Sequence, residues 1–81
     1  MKLNIYAIKD VVVGTINNPF YLTNDNEAKR AFKNAINANN GTQICLNYAD
    51  MQLFKLGEFD DQTGEITSKV EYLISGAEVK E

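Results

Sequence analysis

A turn between two strand-forming segments is the feature that most constrains the fold of this chain. In the first segment, residues 51–59, side chains alternate between two faces, so that Phe54 and Glu58 fall on the same face. Residues 60–64 follow with aspartates that favour turns and a final glycine that tolerates a positive φ. The sequence therefore predicts a hairpin with residues 65–74 as its return strand.

Three other segments have the composition of strands. Residues 3–8 alternate in side-chain type, and the pattern leaves open an extension through residues 11–13. Residues 20–22 form a short apolar run, and residues 43–48 form another around Cys45. Because free cysteines are usually buried, we interpret Cys45 as a small apolar side chain of that strand.

One helix is predicted between these strands. Thr23, Asn24 or Asp25 can cap its start. Residues 39–41 favour its end, because asparagine and glycine tolerate the left-handed conformation found after helices. Apolar residues at helical spacing predict its buried side, formed by Ala28, Ala31, Phe32, Ala35 and Ile36.

Together these elements predict an α+β domain, with a small mixed or antiparallel sheet and one helix packed on a face. The domain is expected to cover residues 1–76, followed by a charged and frayed tail at residues 77–81. A chain of 81 residues buries only about 60% of its unfolded surface on folding. Oligomerisation would therefore be a natural source of additional stability.

Charge and composition argue against several classes of function. Eight basic and eleven acidic residues give a net charge of -3, which disfavours a protein that coats DNA through charge alone. The chain has no histidine, no phosphate-cradling glycine loop and no visible nucleophile–base pair, so an enzyme is poorly supported and no cofactor is expected. No apolar run approaches the roughly 20 residues that span a bilayer, and no secretory signal is evident, so we expect a cytoplasmic protein without a membrane partner.

Several segments, taken in order, resemble the small non-structural protein of gokushovirus-type microviruses, which are phages with single-stranded circular DNA genomes. The resemblance is carried by residues 6–10, by residues 24–28 leading to Arg30 and Phe32, and by residues 53–64. Its most specific part is the Leu-Gly-Glu-Phe-Asp run ahead of Thr-Gly in the predicted hairpin.

This resemblance implies a phage protein that is made in the cytoplasm of the infected bacterium and is absent from the mature virion. It also implies a role in genome replication or its coupling to packaging, for which the proposed action is to favour synthesis of the single-stranded genome. The family carries no established catalytic residues, so the molecular activity has to be inferred from the residues themselves.

The helix carries a basic cluster that is a candidate site for single-stranded DNA. Lys29, Arg30 and Lys33 could contact phosphates while Tyr21 or Phe20 stacks on a base. A solvated helix face explains the same charges, because three cations over one turn are common in proteins. We therefore carry two hypotheses: direct binding of DNA, and an adaptor that binds a phage replication initiator, a host replication protein or an assembly protein without contacting DNA.

An acidic group around the predicted turn raises the question of a metal site. Its members are Glu58, Asp60, Asp61 and Glu65. They lack the alternating ligands and terminal glutamate of a calcium loop, and one hairpin rarely supplies a complete two-metal site. The sequence favours turn chemistry for this group.

Large aromatic rings are numerous for so small a core, with Tyr6, Tyr21, Tyr48, Phe54, Phe59 and Tyr72 among them. Tyrosine and phenylalanine are enriched at protein interfaces. An unpaired sheet edge near residues 11–13 or residues 70–74 would allow a second subunit to add. We therefore expect a homo-oligomer, most simply a dimer.

Overall fold

The computed structural model describes residues 2–81 and shows a sheet with helices on one side. The elements in chain order are β1 (Lys2–Asp10), β2 (Thr15–Ile16), β3 (Phe20–Leu22), α1 (Asp25–Ile36), α2 (Gln43–Leu46), a 3₁₀ turn (Tyr48–Asp50), β4 (Met51–Asp60), β5 (Ile66–Ser75) and α3 (Gly76–Val79). None of the helices within residues 2–81 has the length and apolar character required to cross a bilayer.

All strand pairs of the five-stranded sheet are antiparallel. β1 pairs with β4 along one side, and with β2 and β3 along different parts of the other. β5 pairs with β4 and lies at the edge. The predicted α+β class is confirmed, with an antiparallel sheet.

The core lies between the sheet and α1. Its buried members are Tyr6, Ile8, Ala28, Phe32, Ile36, Met51 and Leu53. Ile44 of α2, Tyr48 of the 3₁₀ turn and Val79 of α3 pack against the same cluster. All helical elements therefore share one side of the sheet, and we call the opposite side the helix-free face.

The boundaries of α1 follow the local chemistry of the chain. Asn24 is the cap, and its side-chain oxygen accepts the Glu27 N–H at 2.9 Å. Beyond the last turn, Asn39 adopts a φ of 53°, as predicted for a helix end. Within the predicted buried side, Ala35 is half-buried and Ala31 is exposed, so the stripe is narrower than its spacing predicted.

The predicted β4–β5 hairpin is confirmed, and Asp60 organises its turn. One oxygen of the Asp60 side chain accepts the N–H of Gln62 at 2.9 Å and that of Thr63 at 3.4 Å. These bonds to the charged carboxylate lower its pKa, and Gly64 closes the turn with a φ of 80°. No group of three or more His, Cys, Asp or Glu within residues 2–81 is placed to hold a metal ion.

One predicted strand, and the extension that the sequence left open for another, adopt other structures. Residues 11–13 form an exposed turn, because the Asp10 side chain accepts the N–H groups of Val12 and Val13 at 3.0 and 3.2 Å. Residues 43–46 form α2, so the prediction of a strand around Cys45 is wrong. Cys45 itself is buried, as expected.

The C-terminal residues, predicted as a frayed tail, include the ordered turn of α3. A reciprocal capping box joins Ser75 and Glu78. The Asn37 side chain also donates to the carbonyl of Val79 at 3.0 Å and accepts the N–H of Glu81 at 2.9 Å. These bonds connect the C-terminus to the end of α1.

A polar network joins β1 to the first turn of α1. The Tyr6 hydroxyl donates to Asp25 Oδ1 at 2.6 Å and accepts from Asn4 Nδ2 at 2.9 Å. Lys55 Nζ lies 3.9 Å from the same Asp25 oxygen. Burial of Tyr6, followed by its bond to Asp25, raises the pKa of the phenol from 10.0 to about 12.

Tyr6→Phe should lower the free energy of unfolding by about 1–3 kcal/mol at neutral pH, because it removes a hydrogen bond to a carboxylate. The folded protein holds the phenol proton more tightly than the unfolded chain. The contribution is therefore complete below pH 10.0 and is lost as the pH rises through about 12. Urea unfolding should show a smaller loss of stability over this pH range in the variant than in the wild type.

Tyr21→Phe serves as the control for this prediction, since its hydroxyl lies on an exposed residue. We expect it to change the stability by less than about 0.5 kcal/mol. An equally small change for Tyr6→Phe, with the pH dependence unaltered, would show that the network does not stabilise the fold.

Candidate nucleic-acid interface

Antiparallel pairing assigns the side chains of the helix-free face, because residues directly opposite each other point to the same side of a sheet. The register places the following residues there: Leu3, Ile5, Ala7, Lys9, Ile16, Tyr21, Gln52, Phe54, Gly57, Phe59, Ile66, Ser68, Tyr72 and Ser75. None of these residues carries a carboxylate, although the whole chain is acidic.

A bulge at Leu56 produces this distribution of charge. Tyr6 pairs with Lys55 while Ile5 pairs with Gly57, so Leu56 is an extra residue in β4. Beyond the bulge the alternation is inverted, and Phe59 joins the helix-free face while Glu58 points to the helix side. The prediction that Phe54 and Glu58 share a face is therefore wrong.

Two pairs of aromatic rings lie on the helix-free face. Tyr21 and Phe59 are tilted against each other with centroids 6.4 Å apart, and Phe54 and Tyr72 meet edge to face at 5.8 Å. Tyr21 is 53% exposed and Tyr72 is 49% exposed, so each presents much of its surface to solvent. Leu3 and Ile66 join the first pair to line an apolar cleft of about 200 Å³.

Few charges border these rings. Lys9 Nζ lies 5.7 Å from the centroid of Phe54, within the range of a cation–π interaction. At the rim, the Tyr72 hydroxyl donates to Glu78 Oε1 at 2.8 Å, which fixes one end of the Tyr72 side chain. This hydrogen bond raises the pKa of Tyr72 and lowers the pKa of Glu78.

The structure separates the residues that the sequence grouped as a DNA site. Phe20 and Leu22 pack toward the core, so Tyr21 between them points to the helix-free face. Lys29, Arg30 and Lys33 lie on α1, in the other layer. No single face therefore joins Tyr21 to the basic cluster.

Glu81 and Glu78, near the C-terminus, interact electrostatically with two of the three cations of the basic cluster. Lys33 Nζ lies 3.5 Å from Glu81 Oε2. The pKa of Glu78 is lowered mainly by hydrogen bonds from Tyr72 and Ser75, with a smaller effect from the charge of Lys29. Arg30 is exposed. The role of these cations in binding DNA stays a prediction.

Three lysines that are scattered in the sequence meet in a polar groove of about 320 Å³ on the helix side of the sheet. Each lies near a carboxylate: Lys2 at 3.8 Å from Glu58, Lys69 at 3.3 Å from Glu71, and Lys55 at 3.9 Å from Asp25. Because their charges are offset in this way, the groove attracts phosphates less than a group of unpaired lysines would.

Exposed aromatic rings on a sheet face whose strand residues lack carboxylates can stack on bases or receive apolar side chains of a protein. The fold and this face define a small two-layer α+β domain with an exposed aromatic surface. Residues 3–79 match the family model described as Phage ORF5 protein, and the chain therefore belongs to this phage protein family. No curated protein and no solved structure matches the chain significantly.

The aromatic excess in the sequence was the one signal that pointed to this surface. The number of aromatic residues does not indicate which rings are exposed: Tyr72 is exposed and Tyr6 is buried, yet both lie in strand-forming segments. Lys9 had no distinguishing mark either, because its position beside Phe54 depends on the pairing of β1 with β4.

Proposed function

We propose that this chain is the non-structural protein of a gokushovirus-type microvirus and binds single-stranded DNA during genome replication. It acts in the cytoplasm of the infected bacterium and is not part of the mature virion. Membership of a phage protein family supports the viral origin, and the resemblance described above supports the replication role. The observation that carries the binding proposal is the aromatic surface of the helix-free face, whose strand residues carry no carboxylate.

Base stacking supplies the affinity in this proposal. The exposed rings of Tyr21 and Tyr72 each offer a surface for one base, and such stacking contributes about 1–3 kcal/mol per base. Bases in a duplex already stack on each other, so the surface selects single strands. A protein that holds the displaced strand in this way would keep it from being copied into duplex and so favour single-stranded genomes.

Electrostatics should contribute little to this binding. Lys9 is the one lysine that the strand register places on the helix-free face, and the slope of log K against log salt for single strands is about -0.7 per neutralised phosphate. We therefore expect a shallow salt dependence. Binding through Lys29, Arg30 and Lys33 would give a slope roughly three times steeper.

Fluorescence anisotropy of a labelled oligothymidylate, measured over a salt series with duplex DNA as competitor, tests the proposal. Tyr21→Ala should weaken binding by about tenfold, because one stacking surface is lost. The matched control, Lys29→Gln with Lys33→Gln, changes two cations on α1 and should leave the affinity within about twofold of the wild type. A large loss in the control with none in Tyr21→Ala would reject the helix-free face and favour the basic cluster.

The apolar cleft between Tyr21 and Phe59 supports a second candidate function, that of an adaptor for a phage or host replication or assembly protein. Aromatic surfaces poor in charge are typical of the centres of protein interfaces. If the wild-type chain binds no oligonucleotide even at low salt, the adaptor becomes the better account.

A further inference from the structure

β5 carries an open edge along the sheet. It pairs with β4 on one side, and the described strands leave its other side without a neighbour. Residues 66–70 are exposed, and the side chains at this edge include Ile66 at 67% and Val70 at 63% exposure. An exposed edge with apolar side chains is a template for adding another strand.

We propose that a second copy of this chain pairs with β5 in antiparallel register about a two-fold axis at Val70. In this register Val70 lies opposite Val70 of the second copy, and Lys69 lies opposite Glu71 of the second copy. By symmetry, Glu71 of the first copy lies opposite Lys69 of the second copy, so two ion pairs form across the interface. The proposal rests on the edge and its charges, and does not depend on whether the protein binds DNA.

The charges of β5 select this register over its neighbours. Lys69 and Glu71 lie on the same side of the strand, with Lys69 Nζ 3.3 Å from Glu71 Oε1. Moving the two-fold axis to position 69 would place lysine opposite lysine, and moving it to position 71 would place glutamate opposite glutamate. Like charges directly opposite each other destabilise a strand pair. Only the axis at Val70 makes every charged position complementary.

The pairing also has a consequence for the helix-free face. With a two-fold axis perpendicular to the sheet, both copies present this face on the same side. Tyr72 of one copy lies opposite Ser68 of the other, close to the axis. The aromatic surfaces of two subunits then form one continuous sheet surface. The helices of both copies lie on the other side.

Charge-swapped variants test the register through the oligomeric state. By sedimentation equilibrium and native mass spectrometry, we expect the wild type to dimerise with increasing concentration. Lys69→Glu and Glu71→Lys each place like charges opposite one another, so each alone should weaken the dimer by about tenfold or more. An equimolar mixture of the two variants should form a heterodimer, and the double variant should dimerise like the wild type.

Circular dichroism verifies that each variant folds, which is expected because Lys69 is exposed and Glu71 is half-buried at the surface. A wild type that stays monomeric at every concentration would overturn the proposal. Single variants that dimerise as well as the wild type, or a mixture that forms no heterodimer, would overturn the register. Oligonucleotide binding measured on the same samples is a separate readout, so failure of the dimer and failure of DNA binding are distinguishable.

Discussion

Gly57→Ala should lower the free energy of unfolding by about 3 kcal/mol or more, although it adds only one methyl group. Gly57 has a φ of 153°, and a Cβ built there would lie 2.0 Å from the carbonyl oxygen of Thr67. That oxygen belongs to the β5 backbone, so relief requires the two strands to separate. In a domain of this size the loss corresponds to a fall of about 15 °C in the melting temperature.

The substitution should also disturb the candidate site, because Gly57 directly follows the bulge at Leu56. A shift of register here would place Glu58 on the helix-free face and turn Phe59 away from it.

Gly64→Ala is the matched control for Gly57→Ala. Gly64 also has a positive φ, of 80°, but a Cβ there meets nothing within 4 Å. It should lose only about 1 kcal/mol. Equal losses at the two positions, measured by thermal unfolding, would show that contact with Thr67 is not the cause.

Phe32→Ala should destabilise the protein by about 3–5 kcal/mol, because it removes a large buried ring and leaves a cavity. Phe32 is 1% exposed and lies in the cluster that joins α1 to the sheet. A domain of this length has a total stability of only about 4–12 kcal/mol, so the substitution removes a large part of it. Urea unfolding followed by circular dichroism measures the change.

Asn34→Ala provides the comparison for Phe32→Ala, since Asn34 lies on the exposed side of the same helix. Alanine is the better helix former, so the stability should stay the same or rise by a few tenths of a kcal/mol. If Phe32→Ala lost less than about 1 kcal/mol, the packing of α1 on the sheet would not be the main source of stability.

The elements that could be predicted from the sequence are those whose signals are local. The cap at Asn24 and the apolar spacing of Ala28, Phe32 and Ile36 lie within α1 itself. The β4–β5 turn is likewise determined by Asp60 and the residues after it. In both cases the chemistry that forms the element is contained in a few consecutive residues.

The two segments that do not form strands depart from the sequence pattern for separate reasons. Around Cys45, a run of three apolar residues fits either a strand or one helical turn, and the packing of Ile44 together with Cys45 toward the interior selects the helix. At residues 11–13, β-branched side chains favour a strand, but the hydrogen bonds that the Asp10 side chain accepts from Val12 and Val13 override that preference.

The candidate site could not be predicted because it depends on strand pairing between distant residues. The sequence suggests that Tyr21 acts together with α1, its neighbour along the chain, whereas β3 places its ring against Phe59. The bulge at Leu56 decides which side chains of β4 reach the helix-free face, and nothing in the sequence of β4 marks it except the adjacent glycine.

The measurement that tests the central claim most directly is an NMR titration of the ¹⁵N-labelled protein with oligothymidylate at low salt. We predict that amide shifts will concentrate on the helix-free face, at Tyr21, Phe59 and Tyr72, while Arg30 and Asn34 on α1 stay unchanged. Shifts confined to α1, or none at saturating oligonucleotide, would contradict the account.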